Sequence, residues 1–175
     1  MSSKLTSFDV TRQRLAVLKQ KRPDFPVAHA RLVRLIANVH QRTVDAYNEL
    51  VKQHGLTYRT YSALMTIYTS GSSSITPSEL GEAMGEKRTN VTRLCDELIE
   101  MGLIVRETSG EDRRSFQLQV TAQGEAMIDR LMPEIAALLA TLYGPLSDDE
   151  HVGTETALTK TLDVLVNLSK RIAKA

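Results

Sequence analysis

The sequence predicts a mainly α-helical fold carrying one small β-hairpin. Three observations point there. Through most of the chain apolar residues recur every three or four positions, the spacing that keeps them on one face of a helix. The rhythm changes to strict alternation at Phe116, Leu118 and Val120, set between Ser115, Gln117 and Gln119. Two short helical patterns joined by GEKR stand directly before that alternation.

The elements follow in order. Leu15 and Leu18, in a basic segment, mark a short helix before the KRPDFP break. From Phe25 to about Gln53, Leu32, Ile36, Val39, Thr43, Ala46 and Leu50 form one stripe of a long helix. Pro26 sits in its first turn and Gly55 ends it, the asymmetry expected of a helix. Thr57 caps a second helix, with Tyr61, Leu64, Met65 and Tyr68 on one side, and GSSS (71–74) is a loop. Pro77 behind a Thr76 cap opens a short helix with Leu80, Ala83 and Met84 on its apolar face. After GEKR a further helix runs from about Thr89 to Met101 and stops at Gly102. Two short helices and a tight turn make a helix-turn-helix. The apolar run LIV (103–105), the loop TSGEDRR and the alternating strand add a hairpin, so the module is a winged helix. Thr121 then caps a long helix striped by Met127, Leu131, Ile135, Leu138 and Leu142. After GPLSDDE a last helix carries Leu158, Leu162, Leu165, Leu168 and Ile172.

The terminal stripes are too large for a middle module of roughly sixty residues to cover, so they are expected to pack on each other and on a second copy. Three regions result: residues 1–55 and 122–175 as helical dimerisation segments, and 56–121 as the winged helix-turn-helix. Composition narrows the function. The single cysteine, Cys95, excludes an intramolecular disulfide framework, and MSSKLTSFDVTRQ lacks an apolar signal segment, which implies a cytoplasmic protein. The longest apolar stretch, 131–146, contains Pro133 and Glu134 and is too short to span a bilayer, so no membrane role is expected. His29, His40, His54 and His151 lack metal-site spacing, and neither a metal nor a cofactor is expected. No glycine-rich phosphate loop, nucleophile elbow or HExxH is present, which argues against an enzyme. A protein-interaction module is the other alternative.

Net charge is +1, but it is unevenly spread. Residues 1–59 hold 11 Lys and Arg against 4 acids, residues 75–121 hold 6 against 9, and residues 122–175 hold 5 against 8. The middle module is thus net acidic, and binding to a polyanion must rest on a few placed arginines. RTNVTR (88–93) supplies them. With Val91 as origin, Leu94, Cys95 and Leu98 fall on its side of the helix, while Thr89, Arg93, Asp96 and Glu100 fall opposite. Arg88, Thr89, Asn90, Thr92 and Arg93 crowd the N-terminal half, where a recognition helix meets the major groove, and the acids come later. EDRR lies at the hairpin tip, where arginine suits a minor groove and Asp112 can pair with a neighbouring arginine. Cys95, on the sealed face, reads as a buried and inert thiol. NVT and NLS match glycosylation acceptors, but on helices of a cytosolic chain they are coincidental. The basic N-terminal stretch, with Arg12, Arg14, Lys19, Lys21 and Arg22, reads as a solvated face.

P-S-E-L, R-T-N-x-T-R, D-E-L, G-L-I-x-R, D-R-R and T-x-x-G together resemble the MarR family of winged-helix repressors. The DFP segment and extended N-terminus are similar to its multidrug-efflux repressor (EmrR-like) branch, and the resemblance covers about residues 22–143. It implies a homodimer that binds a pseudo-palindromic double-stranded DNA operator and releases it when a small phenolic or lipophilic effector binds. Arg88, Thr89, Asn90, Thr92 and Arg93 would then face the major groove and Asp112, Arg113 and Arg114 would form the wing contact. Thr76 and Ser78, at the start of the preceding helix, join the DNA-contact set. The family's effector site lies between the dimerisation helices and the winged domain, where Tyr47, Tyr58, Tyr61 and Tyr68 cluster. The candidate ligand residues are Arg34, His40, Tyr47, Tyr61, Met65 and Tyr68, although tyrosines and methionines at helical spacing also build cores.

Overall fold

The computed structural model describes residues 7–70, 74–108 and 116–172. Among them the elements are α1 (Ser7–Lys21), α2 (Val27–Val51), α3 (Tyr58–Tyr68), α4 (Pro77–Met84), α5 (Arg88–Glu100), β1 (Ile104–Thr108), β2 (Phe116–Val120), α6 (Ala122–Tyr143) and α7 (Asp148–Ile172). This is the expected order of helices around one antiparallel hairpin. The chain forms two compact units, Met1–Leu131 and Met132–Ala175, divided within α6. No described helix is long and apolar enough to cross a membrane.

Helix starts follow the capping residues. Thr57 accepts from the Thr60 backbone N–H and Thr60 accepts from that of Thr57, which closes a box at α3. At α4 the Thr76 backbone N–H donates to Glu79 Oε2 at 2.8 Å and Glu79 N–H returns a bond to Thr76 Oγ1 at 3.3 Å. The backbone and hydroxyl donors of Thr76 hold the Glu79 carboxyl below its ordinary range. Ser147 and Glu150 repeat the arrangement before α7. α1 is longer than Leu15 and Leu18 alone suggest, because its start carries no apolar stripe to read: Val10 and Val17 are exposed.

The winged module packs around α5. Val91, Leu94, Cys95 and Leu98 are all buried, on the side the helical spacing selects. They share the core with Leu64 and Ile67 of α3, Leu80 of α4, and Leu103, Ile104 and Leu118. β1 pairs with β2 in the register Ile104 to Val120, and Ile75 adds an antiparallel bridge to Leu118. Ile75 N–H and Leu118 N–H donate to each other's carbonyls at 3.2 and 2.8 Å, so the segment before α4 is tied to the hairpin. The alternation in β2 is only partly a burial pattern, with Leu118 inside and Phe116 exposed.

Thr121 and Gly124 explain the T-x-x-G motif. Thr121 Oγ1 donates to the Gly102 carbonyl at 2.6 Å and accepts from Gly124 N–H at 3.0 Å, which starts α6 against the end of the α5 helix. A Cβ on Gly124 would lie 2.2 Å from the Leu103 carbonyl oxygen, so no side chain fits. In α6 the buried apolar side chains are Ile128, Leu131 and Ile135, whereas Leu142, expected in the same stripe, is exposed. The terminal stripes stay open in the single chain: Leu32 in α2 is 56% exposed and Leu162 in α7 is 59% exposed.

Two outcomes are expected. Gly124→Ala must push the helix start off Leu103, destabilising the protein by about 1–3 kcal/mol. Its melting temperature should fall by at least about 2 °C in a chain of this size; an unchanged value would show that the contact relaxes freely. Burial raises the Cys95 thiol above its ordinary value despite the nearby Arg106. It should therefore stay unreactive toward a thiol-specific disulfide reagent in the native protein and react once denatured.

Candidate nucleic-acid interface

α4 and α5 meet through a turn in which Gly85 takes a left-handed conformation (φ 65°) that a glycine adopts without strain. Glu86 N–H donates back to the Gly81 carbonyl at 2.9 Å, and Gly81 is buried against Val91. The turn fixes the angle of α5. With its apolar face in the core, α5 can present only the opposite face, and there Arg88, Thr89, Thr92 and Arg93 are exposed.

Thr76, Ser78, Arg88 and Thr92 converge on one hollow of about 580 Å³, with Pro77 and Phe116 also in its wall. Residues from two helices that sequence spacing cannot place together thus share a surface. Thr92 Oγ1 donates to the Arg88 carbonyl at 3.0 Å, leaving its oxygen lone pairs outward. Arg88 makes no ion pair among the described residues, whereas Arg93 Nε lies 3.8 Å from Glu97 Oε1. Asn90 departs from the expected DNA-facing set. At roughly 100° per residue it falls about 160° from Thr92, and it is half-buried, with Nδ2 donating to Glu86 Oε2 at 2.7 Å. Asp112, Arg113 and Arg114 lie outside the described residues.

Part of the acidic excess of the module is occupied by hydrogen bonds. Arg59 Nη1 donates to Glu86 Oε1 at 2.7 Å, and Arg106 Nη2 donates to Asp96 Oδ1 at 2.6 Å. Arg106 also lies 5.1 Å over the Phe116 ring, so one guanidinium joins α5, β1 and β2. Glu79 is spent on its helix cap. These pairs are exposed and add little stability. They give Glu86 and Asp96 partners, while Glu82 and Glu86 line the same hollow as Arg88 and Thr92.

A second cleft, of about 780 Å³, lies between α2, α3, α4 and α5. His40, Asn48, Tyr58, Arg59, Thr66, Met84, Glu86, Arg93 and Glu97 are among its lining residues. Of the six candidate ligand residues only His40 lines it. Tyr47 packs edge-on against Tyr58 at 5.2 Å and tilted against Tyr61 at 5.7 Å, so Tyr47 and Tyr61 support Tyr58 instead of facing the cleft. Burial, with Tyr47 and Tyr58 adjacent, raises the Tyr61 phenol above its ordinary value. Tyr68 is exposed at the end of α3, Met65 is half-buried, and Arg34 is exposed six positions before His40, about 9 Å along the helix. The reason is rotational: placing the tyrosines in one segment said nothing of which side of α3 each occupies. Arg59 was missed, though it stands beside Tyr58 in a basic and aromatic pair.

Residues 54–115 match the model of the MarR family. Transcriptional repressor MprA of Escherichia coli (strain K12) is 33% identical over 160 residues, 91% of this chain and 91% of that protein. The HTH-type transcriptional regulator PrsX of Escherichia coli is 31% identical over 151 residues, 86% of this chain and 91% of that protein. A crystal structure of a MarR mutant from E. coli complexed with operator DNA aligns with a TM-score of 0.70 at 26% identity, covering 82% of this chain and 96% of that one. With the family's pattern over residues 54–115, and a relative of one-third identity along nine-tenths of its length, this chain belongs to the MarR family.

Proposed function

We propose that the chain is a transcriptional repressor that binds a pseudo-palindromic DNA operator as a homodimer and leaves it when a small phenolic or lipophilic effector enters the α2–α5 cleft. The observation that carries this reading is the division of α5 into a buried face and a face of Arg88, Thr89 and Thr92 shared with Thr76 and Ser78. Exposed guanidinium and hydroxyl groups on an N-terminal half-helix suit base edges and phosphates. A structural neighbour solved in complex with operator DNA supports DNA as the partner. Arg113 and Arg114 supply the wing contact in this reading, with Asp112 holding the loop.

The exposed apolar faces of the N- and C-terminal helices are the surfaces a second copy would cover, so residues 1–55 and 122–175 serve dimerisation and 56–121 serves DNA. Leu32, Val33, Ile36 and Val39 lie open on α2, as do Leu158, Leu162 and Leu165 on α7. An exposed stripe of that extent marks an association surface. Twofold pairing also places two recognition helices at a fixed separation. The cleft combines an aromatic ring, a thioether and two arginines, a chemistry that fits a flat organic acid.

Gel shift against the chain's own promoter region tests the reading. Arg88→Ala should weaken sequence-specific binding by roughly 1–3 kcal/mol if the guanidinium reads a base. Arg114→Ala should weaken binding while reducing the salt slope by about one. Wild-type affinity in both variants would remove the assignment. Sedimentation of Leu162→Glu should show loss of the dimer together with loss of operator binding, and a wild-type monomer would contradict the proposed assembly.

A further inference from the structure

Glu86 occupies the turn two residues before α5, and its carboxylate is divided between two elements. Oε1 accepts from Arg59 Nη1 of α3, 27 residues earlier, and Oε2 accepts from Asn90 Nδ2 in the first turn of α5, both at 2.7 Å. The Glu86 side chain is only 16% exposed against 56% for Arg59. Its backbone is fixed as well, by the bond to Gly81 and by close packing there: a Cβ on Gly81 would sit 3.2 Å from the Glu86 carbonyl oxygen.

α5, like α2, begins without a side-chain cap of its own. α3, α4 and α7 each begin with reciprocal side-chain capping bonds. The residue before α5, Lys87, makes no side-chain cap bond, and no acid stands in its first turn. Two side-chain bonds restrain that turn, Thr92 Oγ1 to the Arg88 carbonyl within the helix and Asn90 to Glu86 outside it, and Arg59 aims the carboxylate that receives the second. Arg59 and Glu86 also both line the α2–α5 cleft, with Arg93 of α5 nearby in the same wall.

We propose that Glu86 is a positioning residue for DNA binding: the Arg59–Glu86–Asn90 bridge sets the first turn of the recognition helix, and an organic anion in the cleft opens it. A carboxylate that draws Arg59 toward itself leaves Glu86 without its aiming partner, so cleft occupancy and helix placement become alternatives. The proposal rests on the DNA-binding reading above. It adds the residues through which cleft and helix communicate. A half-exposed ion pair contributes little to global stability. The bridge should therefore show in operator affinity and leave melting nearly unchanged.

The test uses the full chain and a promoter fragment that wild type binds sequence-specifically, with benzoate as the anionic probe. Arg59→Ala and Glu86→Gln should each weaken operator binding about three- to thirtyfold. The double variant should lose no more than the stronger single, since both remove one bridge. Arg59→Lys should restore most of the affinity, which a packing defect would not allow. If Glu86→Gln lowers the melting temperature, the exposed Arg59 pair of variants alone decides the matter. Wild-type affinity in Arg59→Ala, or failure of lysine to rescue it, overturns the bridge. Benzoate should weaken operator binding by wild type and not by Arg59→Ala; equal weakening of both, or none of wild type, overturns the anion's part. Absence of sequence-specific binding by wild type would instead defeat the DNA-binding reading itself, before any variant is compared.

Discussion

The burial of one side of α5 governs the rest of the molecule. Val91, Leu94, Cys95 and Leu98 are fully enclosed by α3, α4 and the hairpin, so the helix cannot rotate without exposing its core residues. Each such side chain favours burial by about 1.5–3 kcal/mol, which far outweighs any preference of the polar residues on the other side. The direction in which Arg88, Thr89 and Thr92 point is thus decided by hydrophobic packing, and the chemistry of recognition inherits its geometry from the core. Gly85 and Gly81 complete the constraint, the first by taking a left-handed φ of 65° in the turn and the second because a Cβ there would lie 3.2 Å from both Val91 and the Glu86 carbonyl oxygen.

Electrostatics then acts locally. A module whose formal charge is negative is a poor general polyanion binder, yet several of its acids are engaged: Glu86 with Arg59 and Asn90, Asp96 with Arg106, Glu79 with the α4 cap. Arg88 is left on the open face beside hydroxyl groups from α4. This pattern favours selective contact over bulk attraction, because phosphate affinity from a few cations is modest and base contacts supply the remainder. Arg106 has a separate part, since its contacts with Asp96 and Phe116 tie the strands to α5.

Much of this was legible in the sequence, for identifiable reasons. The helix pair, its Thr76 and Pro77 start, the sealed face of α5 and the change of period in β2 all follow from local rules, and each appears where those rules place it. Contacts between distant segments were not legible. The Ile75 to Leu118 bridge joins a serine-rich loop end to a strand, and the Arg59 to Glu86 pair spans 27 residues, so no periodicity announces either. Asn90 illustrates a narrower point: its residue type fits base recognition, and no local rule announces that Glu86, four residues before it, accepts its amide N–H. In the tyrosine cluster, ring-on-ring packing of Tyr47, Tyr58 and Tyr61 leaves only Tyr58 of the three in the cleft wall, which helical spacing does not announce.

Dimethyl sulfate footprinting of the bound promoter fragment addresses the placement of α5 most directly, since it reports guanine N7 in the major groove. Two α5 helices entering adjacent turns should protect N7 in two patches on one face of the duplex, about 34–36 Å apart or a multiple of that distance. Full occupancy with every major-groove N7 still methylated would mean that the exposed side of α5 is not what meets the DNA.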